Sequence, residues 1–164
     1  MKMYYQAPKL IVLVLAVCFH AVFGGTAASS ETPSVQVGKR VTSFSLQDYR
    51  GKRHSIDDFD SRPVLVLAFL GTECPLAKLY GPRLEKLQSE FGDQVHIVGI
   101  NANVQDSVTE IAAYASRHGL TFPILKDVGN RVADAIGAVR TPEVFVLDEE
   151  RVVRYWGRID DQYG

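Results

Sequence analysis

Cysteine is nearly absent from this chain: its 164 residues contain two, Cys18 and Cys74. An excess of one charge is lacking too, with 18 Lys and Arg against 19 Asp and Glu. No basic cluster and no basic stripe interleaved with aromatics occurs, which removes the electrostatic footprint of a nucleic-acid binder. No apolar run reaches the roughly 20 residues that a membrane-spanning helix requires. A phosphate-cradling glycine loop and a Ser–His–Asp arrangement are also missing. His54, His96 and His118 lack the mutual spacing of a metal site, so neither a metal nor a cofactor is expected. Internal repeats and low-complexity tracts are absent beyond the leader. What is present is an ordinary globular composition, 46% hydrophobic and 23% charged, in a length that suits one domain.

The first residues follow a different logic. Lys2 and Lys9 give a positive start, Leu10 to Phe23 is apolar except for His20, and small residues Gly24 to Ala28 lead into Ser29-Ser30-Glu31. This charged, apolar, small-residue order is that of a secretory signal peptide over residues 1–28, removed near Ala28. The chain is therefore expected in the periplasm or cell envelope, an uncleaved membrane anchor being the alternative. Cys18 leaves with the leader. The mature protein keeps one thiol, Cys74, in an oxidising compartment and can form no internal disulfide. Residues 29–41, polar with Pro33 and Gly38, read as a tether, and 42–164 as the folded domain.

Within that domain, Phe44, Leu46 and Tyr49 alternate with polar residues before Gly51-Lys52-Arg53, predicting a short hairpin. Ser55 caps a brief helical turn through Phe59. Val64 to Leu70 is an unbroken apolar run, as a strand buried on both faces needs. After Gly71-Thr72-Glu73, residues Leu76, Leu79, Tyr80, Leu84, Leu87 and Phe91 recur at three- and four-residue steps, predicting a helix from Cys74. A strand over Val95–Ile100, a helix over Ser107–His118 and a short strand over Phe122–Leu125 follow. A helix over Asn130–Ile136 precedes a hairpin of Val144–Leu147 with Arg151–Trp156 across Asp148-Glu149-Glu150. Strands alternating with helices define the α/β class, a central mixed sheet flanked by helices.

Cys74 stands between a buried strand and a helix, with Pro75 in the first turn where its missing N–H costs nothing. A helix N-terminus stabilises negative charge, so this placement favours the reactive thiolate. Glu73 beside it opposes that charge. An inert, buried cysteine is the alternative.

Phe69-Leu70-Gly71-Thr72-Glu73-Cys74-Pro75 resembles the active-site approach of thioredoxin-like proteins, in the branch of the AhpC/TSA redoxins and periplasmic thiol–disulfide oxidoreductases. Pro82, eight residues after the cysteine, is similar to the proline of the thioredoxin active-site helix. Thr141-Pro142 before Val144-Phe145-Val146-Leu147-Asp148 resembles the family's cis-proline loop. The entry Phe44-Ser45-Leu46-Gln47-Asp48, with Gly51-Lys52 and Ser55 to Phe59, resembles the redoxin opening. The resemblance covers about Val37 to Gly157 and implies a thioredoxin-like fold. It also implies catalysis by Cys74, with Thr72 and Arg140 polarising the site and Pro75, Thr141 and Pro142 binding substrate.

Departures from the family are specific. Ala77 occupies the position of the resolving cysteine in Cys-x-x-Cys. Ala68 stands for thioredoxin's buried acid. Gly71 and Leu67 replace the threonine and proline that precede a peroxidatic cysteine, and Thr72 is one place late. Tyr80 and Trp156 are candidates to flank the site, although packing accounts for aromatics there. The C-terminal helix of such domains is missing before Gly164, which leaves room for further C-terminal domains. The reading is an exported one-cysteine thiol oxidoreductase acting on a peroxide or a protein disulfide. It needs an external thiol reductant or thioredoxin-like partner, and binds no nucleic acid. A redox-inactive binding module of a larger protein is the rival.

Overall fold

The computed structural model describes residues 37–160. The expected leader, Cys18, most of the tether and residues 161–164 lie outside them. Among the described residues no helix is long and apolar enough to cross a membrane.

The chain runs β1 Ser45–Asp48, β2 Arg53–Ser55, a 3-10 turn Ile56–Phe59, β3 Val64–Phe69 and α1 Pro75–Glu90. It continues through β4 Val95–Asn101, α2 Val108–His118, β5 Ile124–Lys126, α3 Arg131–Ile136, β6 Glu143–Leu147 and β7 Val153–Gly157. Seven strands form one sheet in the order β2-β1-β5-β4-β3-β6-β7. The centre is parallel, β3 with β4 and β4 with β5. The remaining pairs, β1–β2, β1–β5, β3–β6 and β6–β7, are antiparallel. This is the mixed sheet expected. Among the described residues no helix follows β7.

The long apolar run of β3 is explained by its place: it lies between β4 and β6 with helices on both faces. On one face Leu65, Leu67, Phe69, Phe145 and Leu147 pack against α3 and the 3-10 turn. On the other, Ala68, Ile97, Ile124 and Val144 meet α1 and α2. These two helices approach closely at Gly81. A Cβ there would sit 2.7 Å from the Tyr114 hydroxyl, which donates to the Ala77 carbonyl at 2.6 Å.

Local signals account for the element ends. Ser107 caps α2 by accepting from the Glu110 amide, and Glu110 reaches back to the Ser107 amide. Gly119 ends α2 in the left-handed region.

Most boundaries fall within a residue of expectation, and three places differ by more. The strand expected at Phe122–Leu125 is β5, which starts two residues later at Ile124 and ends one later at Lys126, because Phe122 and Pro123 precede its pairing with β1 and β4. The last strand begins at Val153. Arg151 instead closes the turn at φ 61°, its guanidinium donating to Phe59 O and Asp60 Oδ1, both at 2.8 Å. The end of the expected tether, Gly38 to Val41, exchanges backbone hydrogen bonds with Arg151 and Val153 and so pairs with the domain.

Candidate active site

Cys74 is the N-cap of α1, extended at φ −69° and ψ 119°, with Pro75 as the first helical residue. Parallel β3, β4 and β5 all end on this edge, where α/β folds collect their functional loops. The antiparallel β6 starts there, so the loop before it faces the start of α1. The Thr141–Pro142 bond in that loop is cis, as the resemblance implies. The Cys74 thiol donates to the Thr141 carbonyl at 3.5 Å. Cys74 is partly exposed and unpaired. Glu73 turns outward to the Lys78 ammonium at 3.4 Å, which draws its opposing charge away from the thiol.

Ala77 is fully buried one turn into α1, so the resolving position is filled by a methyl group. Pro82 lies inside α1. Beside Pro142 a small cleft of about 130 Å³ is lined by Leu76, Tyr80, Arg140, Thr141, Arg158 and Asp160, among others. Tyr80 is thus a wall of the site, its hydroxyl donating to Asp160 Oδ1 at 2.5 Å. Asp160, in the loop after β7, also accepts from Arg83 at 2.9 Å. Trp156 lies elsewhere, stacked on Phe145 over the α3 face.

Thr72 does not present its hydroxyl hydrogen to the thiol. Its hydroxyl donates to Asp106 Oδ1 at 2.8 Å and its amide to Oδ2 at 2.9 Å. Asp106 also accepts from Asn101 at 2.6 Å and from Asn103 at 3.1 Å. Lys126 donates to Asn101 Oδ1 at 3.0 Å and to the Asn103 carbonyl. Burial by itself would raise the Asp106 pKa, but the Thr72 amide, Asn101, the Thr72 hydroxyl and Asn103 together hold it below the usual value. Burial pushes the Lys126 pKa down, against the pull of Asp106, Asp127 and Glu110.

Gly71 completes this clamp. A Cβ on it would lie 2.3 Å from Asn103 Nδ2 and 3.4 Å from Thr141 Oγ1. The segment before Cys74 is therefore fixed between the end of β4 and the cis-proline loop.

Arg140 is 59% exposed, with its Nε 3.3 Å from Glu143 Oε1. Glu143 is fully buried, and its Oε2 accepts from the Val139 amide at 2.9 Å. This carboxylate latches the loop that carries Thr141.

Asp106, Asn101, Asn103 and Glu143 were missed by sequence reasoning. The signal that could have found the first three is their place at the end of a strand parallel to the one preceding Cys74.

Among the described residues no group of three His, Cys, Asp or Glu could hold a metal. His54 is bonded to Asp48 at 3.1 Å and stacked on Phe59. His96 is bonded to the Ser61 hydroxyl at 2.9 Å.

A helix-capping cysteine facing a cis-proline loop on a mixed sheet defines a thioredoxin-like redoxin. The chain belongs to the AhpC/TSA family, whose model matches residues 37–156. It is 32% identical over 127 residues to a thioredoxin-like protein, YneN, of Bacillus subtilis, covering 77% of this chain and 74% of that protein. It is also 32% identical over 115 residues to the thiol-disulfide oxidoreductase ResA of Halalkalibacterium halodurans, covering 70% of this chain and 64% of the relative. Among solved structures, a hypothetical protein, SMc02350, of Sinorhizobium meliloti superposes with a TM-score of 0.74 at 32% identity. That match covers 79% of this chain and 74% of the other.

Proposed function

We propose that the chain is an exported thiol oxidoreductase in which Cys74 is the sole nucleophile and a protein disulfide the substrate. The observation that carries this reading is the opposition of Cys74 and the Thr141 carbonyl across the cis-proline loop. The Cys74 thiolate attacks one sulfur of the partner's disulfide. That S–S bond breaks, the far sulfur leaves as a thiolate, and Cys74 is left in a mixed disulfide. An external thiol then attacks the Cys74 sulfur of the mixed disulfide, freeing the partner's second thiol and leaving Cys74 in a disulfide with the external thiol. A second external thiol attacks the outer sulfur of that bond, releasing the Cys74 thiolate and forming an external disulfide. Thr141, Pro142 and Pro75 hold the partner's backbone, and Arg140 brings positive charge toward the departing thiolate. The thiol-disulfide oxidoreductase relative supports the same chemistry.

Peroxide reduction is the less favoured substrate of the same cysteine. A peroxide site needs donors aimed at the leaving oxygen, and the Thr72 hydroxyl is committed to Asp106. The test is single-turnover kinetics of Cys74 with a disulfide-bearing peptide and, separately, with hydrogen peroxide. Faster capture of the peptide, released by added thiol, is the expected result. Faster formation of a sulfenic acid would make the protein a peroxidase.

One observation favours a different class of function, a redox-inactive module that binds a partner. Ala77 fills the resolving position, and a chain that reacts with neither substrate belongs to that class. Export itself rests on the order of the first 28 residues.

A further inference from the structure

On the α3 face, away from Cys74, a cavity of about 490 Å³ opens between residues 39–46 and α3. Its size falls within the roughly 300–1,000 Å³ of small-molecule sites. Its walls include Val41, Phe44, Leu46, Val132, Ile136 and Val153. Four of these, Phe44, Val132, Ile136 and Val153, belong to the core and are at most 9% exposed. The cavity is therefore an inlet into packed structure with walls fixed by the fold, and an apolar chain entering it would meet apolar surface on several sides.

The charges around this inlet are of one sign. Lys39 and Arg40 come from the strand-like segment on one side and Arg131 from the start of α3 on the other. Among the described residues no Asp or Glu lines the cavity. Among the described residues none of these three cations is in an ion pair. Lys78, Arg83, Arg140, Arg151 and Arg154 each are. Lys39 and Arg131 reach backbone carbonyls at 3.5 Å, the long end of hydrogen bonding. Three cations without carboxylate partners around one apolar inlet attract an anionic head joined to an apolar tail.

We propose that this cavity is a binding site for a single-chain anionic amphiphile of the long-chain carboxylate class. The tail lies between Phe44, Leu46, Val132 and Ile136, and the carboxylate is held by Arg40 and Arg131 with Lys39 beside them. The site is independent of the chemistry at Cys74.

Calorimetric titration of the full chain with dodecanoate, below its micelle-forming concentration, tests the proposal. The expected result is saturable one-to-one binding. Dodecyl maltoside, with the same tail and a neutral head, should bind at least tenfold more weakly. Binding of dodecanoate should fall at least tenfold in the Arg40→Glu, Arg131→Glu double variant. It should vanish in Ala135→Trp, which fills the inlet from an exposed helix position. If Ala135→Trp fails to fold by circular dichroism, the charge variant decides. Absence of saturable binding, equal affinity for the maltoside, or an unchanged affinity in the variants would overturn the site. Binding to phosphatidylglycerol vesicles without binding of monomeric dodecanoate would overturn it as well, since that is attraction to a charged surface.

Discussion

Replacing Asp106 by alanine removes the carboxylate that ties Thr72, in the approach to Cys74, to Asn101 and Asn103. Four donors would lose their acceptor: the Thr72 amide and hydroxyl, and the amides of Asn101 and Asn103. Thr72, Asn101 and Asp106 are buried, so water reaches these groups poorly. A hydrogen bond to a charged group is worth about 1.5–3 kcal/mol, and an unsatisfied buried group costs about 1–3 kcal/mol. Asn101 keeps a second acceptor, the Leu70 carbonyl at 3.1 Å, and the bonds form one network, so the terms do not add. A net loss of about 3–5 kcal/mol follows, at the high end for a single substitution. Urea denaturation of the two proteins at neutral pH measures it. The folded-state pKa of Asp106 is lowered. Its contribution is therefore complete above the unfolded value of about 3.9 and is lost as pH falls through the folded value. The gap between wild type and Asp106→Ala should be constant near neutrality and close below about pH 4. A loss under about 1 kcal/mol at pH 7, or a gap that widens in acid, would refute the clamp.

Other expectations follow from the packing and the site. Gly81→Ala places a Cβ against the Tyr114 hydroxyl and should destabilise by about 1–3 kcal/mol through overpacking, read as a lowered urea midpoint; an unchanged midpoint would mean that α1 and α2 are not in close contact. Ala77→Cys should create a Cys-x-x-Cys pair that oxidises to an intramolecular disulfide, seen by mass spectrometry as loss of two hydrogens, and persistent free thiols would count against the placement of Cys74 and residue 77 on one turn. N-terminal sequencing of protein recovered from the cell envelope should begin near Ser29, whereas an intact Met1 terminus in the membrane fraction would establish an anchor.

The parts of the fold and site read from sequence are those with local causes. The run Val64–Leu70 announces a buried strand because both faces of β3 are covered. The Ser107 cap with Glu110 announces α2. Cys74 before Pro75, and Thr141-Pro142 before an apolar strand, carry their chemistry within a few residues. Asp106 has no such local mark: just ahead of a helix cap, it reads as an ordinary loop acid until β4 is set beside β3. Glu143 is misleading in the same way. A carboxylate after a proline looks solvent-facing, yet it is buried because its strand pairs with Phe69 and its acceptor is needed by the Val139 amide. Arg151 takes a turn position that favours glycine, held there by contacts with Phe59 and Asp60, 91 residues and more away in sequence. These are tertiary effects with no signature in a window of neighbouring residues.

The central claim is that Cys74 alone performs the chemistry, and comparison of wild type with Cys74→Ser tests it most directly. A hydroxyl is almost never ionised at neutral pH, whereas a thiol readily supplies a thiolate. Among the described residues the Cys74 side chain makes one hydrogen bond, to the Thr141 carbonyl, which a serine hydroxyl can also donate. Thiol-dependent reduction of a protein disulfide should therefore fall at least about a thousandfold, to the uncatalysed rate, as expected for loss of a catalytic nucleophile. The melting temperature should change by no more than a few degrees, corresponding to under about 1 kcal/mol. A Cys74→Ser protein that folds normally and still turns over disulfide, or a wild type with no activity to lose, would contradict the account.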